Sequence, residues 1–247
     1  NLLSVINANI SKLYMTGKLF EVGPNFHGTK DNDQIMVASG IHYGLSYNSS
    51  WNTKKRSTDI FDVKSDVFFI LDQLKVPVES LQYEIIKNNI YHPGRSSQLR
   101  LGKNIIANFG EMNPLLLKRF DLKVPVFGFE IFLDNLNQFQ IKKSSTKKAY
   151  DSNSLQLVER DFAFLFPKNT KGIDIINKIK KIDKKIIKNV VIFDVFEDDK
   201  LFKNKKSIAI KVTLQPQVKT FTDKEIEDFS FNIVSLVSKS FEGELRQ

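Results

Sequence analysis

The chain has 247 residues, 41% of them hydrophobic and 26% charged, which is the composition of a soluble globular protein with one large domain or two ordinary ones. It contains no cysteine, which excludes disulfides, thiolate metal sites and a cysteine nucleophile and agrees with a reducing compartment. The net charge of +9 is spread over both halves of the chain, and it indicates either a polyanionic partner or the lysine-rich coding of an AT-rich genome.

The N-terminus lacks the layout of a signal peptide, and no apolar run approaches the roughly eighteen residues that span a bilayer. The chain opens without methionine, directly in helix-like sequence. We therefore expect a fragment of a longer protein that has no membrane partner.

Residues 1–143 have the mixed pattern of an α/β domain. Helices are predicted at 2–16, 61–74 and 114–120. Strands are predicted at 18–23, at 34–47 with bends at Gly40 and Gly44, at 80–87, twice within 91–114, and at 124–136, where the strand runs into a helix start. The segment 23–33 is predicted to be a loop and His92–Arg95 a turn. Residues 144–157 are rich in serine and lysine without a sustained apolar period, so we expect a linker.

Residues 158–247 follow the order β-α-β-β-α-β of a ferredoxin-like fold. Phenylalanines alternate with other residues in the first strand (158–167), and isoleucine, valine and leucine alternate in the third (205–216), so each strand has one apolar face. The second helix begins at a capping box formed by Thr222 and Glu225. The remaining predictions are a helix-like segment within 168–188, a strand at 189–197 and a short strand at 243–247. Both helices are expected to cover the apolar face, which leaves small and polar residues on the other.

Five motifs of the second half lie in one order: R-D-F-A-F at 160–164, F-D-V-F-E at 193–197, K-S-I-A-I at 206–210, T-F-T-D-K-E-I at 220–226 and E-L-R at 244–246. Together they resemble the ferredoxin-fold anticodon-binding domain that ends the β subunit of bacterial phenylalanyl-tRNA synthetases. The resemblance implies that residues 158–247 bind the anticodon region of phenylalanine tRNA.

The first half carries a second set of motifs: L-F-E-V-G at 19–23, D-I-F-D-V-K at 59–64, H-P-G-R-S at 92–96, F-G-E-M-N-P at 109–114 and G-F-E-I-F-L-D at 128–134. They resemble the catalytic-like module of the same β subunit. The resemblance implies an α+β protein, in which a degenerate class II synthetase-like antiparallel sheet domain precedes the ferredoxin-like domain. It also implies the C-terminal part of a β subunit that scaffolds a catalytic α subunit. The complete enzyme would be a cytoplasmic heterotetramer of two α and two β chains that uses ATP and Mg²⁺.

The first domain is called degenerate because two phosphate-binding arginines are missing. Class II synthetases grip ATP with arginines, since a planar guanidinium forms paired charge-assisted bonds to phosphate oxygens. Leu19 stands where the first arginine is expected, and the segment 127–134 has none and ends at Asp134, which would repel ATP. We therefore expect no catalytic residue and no cofactor in this chain.

The expected RNA site is the uncovered face of the second sheet, because such faces are platforms for unstacked bases. Asp161 or Ser207 is expected to bond a base edge, and Ala163 to leave room for a base. Phosphates are expected to be bound by Arg160, Lys206 and Lys211. Arg246 in the last strand is a further expected RNA contact. Arg95 in the first half is expected to contact either RNA or a partner subunit. From the pattern alone a solvated sheet face is favoured; the resemblance reverses that preference.

Other sites and functions receive less support. His27, His42 and His92 are far apart and lack metal-ligand spacing, and no phosphate-loop or serine-hydrolase motif is present. An enzyme with its own active site in the first half is disfavoured by the missing arginines. A stand-alone RNA-binding or structural interaction module without a synthetase partner remains open.

Overall fold

The computed structural model describes residues 1–26, 28, 33–47, 50–86, 88–139, 153–198 and 203–246. The chain divides into two compact units, Asn1–Lys147 and Lys148–Gln247. Most of the predicted linker and much of the predicted loop at 23–33 lie outside the described residues. None of the helices in the described part of the chain has the length and hydrophobicity that a membrane crossing requires.

The first unit contains a six-stranded sheet in which every neighbouring pair is antiparallel. Its helices are α1 (Leu2–Ser11), α2 (Ile60–Gln73) and α3 (Pro114–Arg119), with short 3-10 helices at Val78–Ser80 and Leu133–Phe139. Its strands are β1 (Gly17–Phe26), β2 (Gln34–Tyr43), β3 (Leu45–Tyr47), β4 (Arg56–Ser57), β5 (Gln82–Glu84), β6 (Tyr91–Leu101), β7 (Asn104–Met112) and β8 (Val126–Phe132). The order across the sheet is β1-β2-β8-β7-β6-β5, so β1 and β5 are its edges.

Helices lie on both faces of this sheet. Val63, Val67 and Leu71 of α2 are fully buried in one apolar cluster with residues of β7 and β8. Ile6 of α1 and Leu117 of α3 belong to a second cluster that includes Ile41 and Met112. The sheet therefore has two separate cores, one for each helix layer.

The first unit differs from its predicted boundaries in several places. Helix α1 ends at Ser11 and not at 16, because the backbone turns left-handed at Leu13 (φ 67°). Strand β1 continues to Phe26, which pairs with Gln34. Gly44 bends the chain with a φ of 78°, but Gly40 lies inside β2, where a β-carbon would collide with the ring of Phe129.

The second unit has the strands and helices that the ferredoxin-like pattern requires. They are β9 (Val158–Pro167), α4 (Gly172–Lys180), β10 (Ile187–Phe196), β11 (Lys205–Leu214), α5 (Asp223–Phe241) and β12 (Glu244–Leu245). The order across the antiparallel sheet is β10-β11-β9-β12, so the first and third strands of the unit lie at its centre. This topology confirms the predicted α+β, ferredoxin-like fold.

Both helices of the second unit cover the same face of its sheet. Ile175 and Ile179 of α4 and Ile233 and Val237 of α5 share one buried cluster with the apolar residues of β9, β10 and β11. The predicted capping box is present, because Thr222 accepts from the Glu225 amide and Glu225 accepts from the Thr222 amide at 2.8 Å. Among the described residues of this unit, no helix covers the other face of the sheet.

Candidate nucleic-acid interface

The uncovered face of the second sheet, which we call the open face, has small residues at its centre. On β9 it carries Asp161, Ala163 and Leu165, which pair across to Lys211, Ala209 and Ser207 of β11. The alternate residues of both strands point into the core. Ala163 and Ala209 form one cross-strand pair, so a flat group can approach the backbone at this point.

The cations of the open face are matched by neighbouring carboxylates. Lys211 Nζ lies 3.0 Å from Glu159 Oε2 and 3.9 Å from Asp161 Oδ1. The hydrogen bond to Glu159 and the charge of Asp161 raise the pKa of Lys211. At the other end of the face, Lys205 Nζ contacts Glu244 Oε1 at 2.7 Å. The open face therefore has little net positive charge of its own.

An aromatic residue that the sequence patterns did not predict also lies on the open face. A register shift between Ile192 and Asp194 of β10 changes the alternation, so that Phe196 pairs with Ser207. Phe196 is 43% exposed. An exposed ring beside the alanine pair is the kind of surface on which a base stacks.

The predicted RNA contacts do not all lie on the open face. Asp161, Ala163 and Lys211 do; Ser207 shares that face but is only 5% exposed. Arg160 pairs with Val212, and Lys206 pairs with Phe166. Both partners lie on the covered face, so the side chains of Arg160 and Lys206 are on the helix side of the sheet.

Arg246 follows the last strand, and its backbone amide donates to the Ala163 carbonyl at 2.7 Å. This bond holds the exposed Arg246 beside the alanine pair.

Arg95 lies in the first unit and pairs with a carboxylate. Its Nη2 donates to Glu111 Oε1 at 2.9 Å, and Nε bonds the other oxygen, which makes a bidentate pair. The predicted turn at His92–Arg95 is wrong, since these residues lie inside β6 at a register shift. The Gly94 amide donates there to His92 Nδ1 at 3.0 Å.

A cavity of about 310 Å³ opens on the sheet of the first unit, on the face opposite α2. Glu21, Ser39 and Glu130 form one row across β1, β2 and β8 at its wall. Tyr91 is buried beneath and donates its hydroxyl to Glu130, and burial together with this carboxylate raises the pKa of Tyr91. The described residues that line the cavity include two carboxylates and no lysine, arginine or histidine.

The two positions expected to lack phosphate-binding arginines serve the fold. Leu19 packs against the apolar cluster around α1. Asp134 Oδ2 accepts the Met36 amide at 2.8 Å, which ties the segment after β8 to β2.

The histidines are not arranged as metal ligands in the described part of the chain. His42 is buried and its Nε2 lies 2.7 Å from Asp66 Oδ2. Burial lowers the pKa of His42 against the opposing effect of Asp66. Among the described residues no group of three His, Cys, Asp or Glu could hold a metal ion, and His27 lies outside them.

An ionic network fixes the start of α2. Asp59 caps the helix in a capping box with Asp62, and Arg56 of β4 bonds both carboxylates. Ser46 of β3 also donates to Asp62 at 2.9 Å. Burial alone would raise the pKa of Asp62, but the bonds from Arg56, the Asp59 amide and Ser46 lower it to about 2.

This network predicts a pH dependence of stability. Because the folded-state pKa of Asp62 lies below its ordinary value of 3.8, its contribution is present above about pH 4 and is lost as the pH falls toward 2. After a discount for solvent screening, we expect this contribution to the free energy of unfolding to be about 1–2 kcal/mol. Urea unfolding of the parent and of the Asp62→Asn variant, at pH 5.5 and at pH 2.5, measures this contribution. A destabilisation by Asp62→Asn of equal size at both pH values would contradict this assignment.

Both units match known protein families. Residues 1–133, more than half of the chain, match the family model described as the phenylalanyl tRNA synthetase beta chain CLM domain. The chain belongs to the phenylalanyl-tRNA synthetase β chain family. Residues 154–246 match the model of the ferredoxin-fold anticodon binding domain.

Curated relatives of this family match the whole chain. The phenylalanine–tRNA ligase β subunit of Rhodospirillum rubrum is 39% identical over 246 residues, which are 100% of this chain and 31% of the relative. The β subunit of Paramagnetospirillum magneticum is 38% identical over the same shares. This chain thus spans about a third of the length of these relatives. A solved pyrrolysyl-tRNA synthetase from Desulfitobacterium hafniense has a TM-score of 0.40 and 13% identity, over 55% of this chain and 46% of that chain.

Proposed function

We propose that this chain is the part of a phenylalanine–tRNA ligase β subunit that binds the anticodon region of phenylalanine tRNA and supports the catalytic α subunit. The observation that carries the proposal is the open face, with its alanine pair and exposed Phe196, in a unit that matches an anticodon-binding family model. A platform of this kind holds unstacked bases, as an anticodon loop presents them.

The RNA-binding part of the proposal is tested with two short RNAs at 100 mM KCl. The chain should bind an anticodon stem-loop of phenylalanine tRNA at least about tenfold more tightly than a blunt-ended acceptor-stem duplex with the same number of nucleotides. Each base stacked on an aromatic side chain is worth about 1–3 kcal/mol, which only the loop can supply. Equal affinities would show nonspecific attraction between a basic protein and RNA.

The first unit is proposed to be non-catalytic, with ATP and Mg²⁺ held by the α subunit. The wall of its cavity carries Glu21 and Glu130, and these two carboxylates repel a triphosphate. We expect 5 mM Mg·ATP to leave the melting temperature of the chain within about 1 °C, since a ligand that does not bind the folded state does not stabilise it. A rise of several degrees, or phenylalanine-dependent exchange of pyrophosphate into ATP by this chain alone, would overturn the assignment.

The surface proposed to meet the α subunit is the edge strand β1. Among the described residues β1 pairs only with β2, and Phe20, Val22 and Phe26 are 81%, 56% and 65% exposed on it. A long apolar edge strand invites pairing with another chain, and natural proteins cover such edges. An α subunit that packs here would bury these side chains.

A co-purification experiment tests this docking surface. Phe20→Asp with Val22→Asp should reduce recovery of the tagged chain with the synthetase α subunit by at least about tenfold, because charges at the centre of an apolar interface cost several kcal/mol. The control is Ile85→Asp beside the opposite edge strand, β5, where Ile85 is 69% exposed. Undiminished recovery of the β1 variant would place the α subunit elsewhere.

The remaining parts of the proposal follow from family membership and the sequence. We propose domains at 1–143 and 158–247 joined by a linker at 144–157, a heterotetramer of two α and two β chains, and a cytoplasmic location. A stand-alone interaction module is less favoured, because the relatives match both halves of the chain in one β subunit.

A further inference from the structure

The positive charge of the second half is concentrated in one stretch. Residues 171–188, which we call the lysine segment, contain seven lysines and two aspartates. Residues 147–247 together contain 20 Lys and Arg and 15 Asp and Glu, an excess of five. The lysine segment accounts for that whole excess, since charges in the remainder of the half balance.

The lysines of this segment are exposed, and none forms an ion pair with another residue in the part of the chain that the structure describes. The seven are Lys171, Lys178, Lys180, Lys181, Lys184, Lys185 and Lys188. Of the two acids, Asp183 accepts the backbone amides of Lys185 and Ile186 and closes the turn after α4. This differs from the open face, where Lys205 and Lys211 are paired with carboxylates.

The segment is held firmly on the edge of the sheet. Ile175 and Ile179 anchor α4 in the core, and Gln217 donates to the Lys185 carbonyl at 2.9 Å. The segment then enters β10, which is the edge strand beside β11. Lys188 precedes Asn189, which pairs with Thr213 of β11. Because Thr213 belongs to the open face, the row of lysines extends from the helix layer to the edge of that face.

We propose that the lysine segment is a second RNA-contact surface, which holds the sugar–phosphate backbone of the tRNA whose bases lie on the open face. The inference rests on the proposed anticodon-binding function and assigns its phosphate contacts and its base contacts to two different surfaces. Phosphate contacts by lysine supply most of the salt-dependent affinity and carry no sequence information, whereas base contacts specify. The open face has matched charges and supplies the base contacts, and the lysine segment supplies the phosphate contacts.

The test uses the triple variant K181Q/K184Q/K185Q and labelled phenylalanine tRNA, with dissociation constants measured at 50, 100 and 200 mM KCl. At 50 mM KCl we expect binding about tenfold or more weaker than in the parent. The slope of log affinity against log salt should fall by about 0.7–0.9 for each phosphate that a lysine no longer neutralises. The preference for an intact anticodon should not change, because these lysines do not read bases.

A matched control carries the same charge change elsewhere in the unit. K203Q/K224Q/K239Q removes three exposed lysines outside the segment and should stay within about threefold of the parent. K178Q/K188Q, which removes two other lysines of the segment, should show an intermediate loss of affinity. Equal losses of affinity in the two triple variants would overturn the inference, because net charge alone would then explain binding. If the parent binds tRNA and K181Q/K184Q/K185Q binds it equally well, the inference is overturned but the proposed function is not. A parent that binds no tRNA overturns the proposed function as well.

Discussion

Replacing Phe164 by alanine should destabilise the second unit by about 3–5 kcal/mol, the largest effect that we expect from a single substitution. Phe164 is fully buried at the centre of β9, and its ring lies 6.1 Å from that of Phe162 and 5.7 Å from that of Phe166. The destabilisation combines the transfer free energy of the ring with the cost of the cavity left between the sheet and its helices. Hydrogen exchange of peptides from residues 158–246, read by mass spectrometry, measures this stability separately from that of the first unit.

Phe231→Ala is the control, because Phe231 lies on α5 and is 74% exposed. It should change the free energy of unfolding by less than about 0.5 kcal/mol. If Phe164→Ala cost no more than this control, the core would not lie between the sheet and its two helices, and the opposite face would no longer count as open.

Replacing Ala209 by glutamate should weaken binding of phenylalanine tRNA by at least about tenfold. Ala209 faces Ala163 in the middle of the open face. A larger, negatively charged side chain there blocks the approach of a base and repels the phosphates beside it, and the absence of each base stack costs about 1–3 kcal/mol. Fluorescence anisotropy with labelled tRNA at 100 mM KCl measures the change.

The matched control for this substitution is Asn232→Glu, which adds the same charge on the exposed side of α5. We expect it to bind tRNA within about twofold of the parent, with an unchanged melting temperature for both variants. Should the two glutamate variants weaken binding equally, the effect would be one of net charge, and the open face would not be the site.

The sequence predicted the second unit well because its local signals agree with one another. The alternation around Phe162, Phe164 and Phe166 defines the buried face of β9, and the capping box at Thr222 and Glu225 sets the start of α5. Once both helices are known to need an apolar surface, only one face of the sheet can provide it. Fold class and the covered face therefore follow from short-range patterns.

Features that depend on register could not be predicted in this way. Phe196 reaches the open face because of an irregularity near Ile192 that has no sequence signature, and without it the alternation would turn Phe196 toward the core. The row of Glu21, Ser39 and Glu130 joins strands that are far apart in the chain. Arg160 and Lys206 looked like members of one basic site, but strand alternation turns them to the helix side.

The ion pairs could not be predicted from the sequence either. Lys211 is surrounded by Glu159 and Asp161, and Arg95 is engaged by Glu111, which is visible only when the strands are aligned. The net charge is distributed evenly between the halves of the chain, whereas within the second unit most of the exposed lysines that have no ion partner among the described residues lie in the lysine segment.

The most direct test of the central claim is the dependence of binding on the anticodon. The chain is titrated at 100 mM KCl with phenylalanine tRNA and with the same tRNA in which only the three anticodon bases are replaced. We expect the replacement to weaken binding about tenfold or more, since the phosphate contacts are the same in both RNAs and only contacts with the bases differ. Equal dissociation constants for the two RNAs would contradict the account.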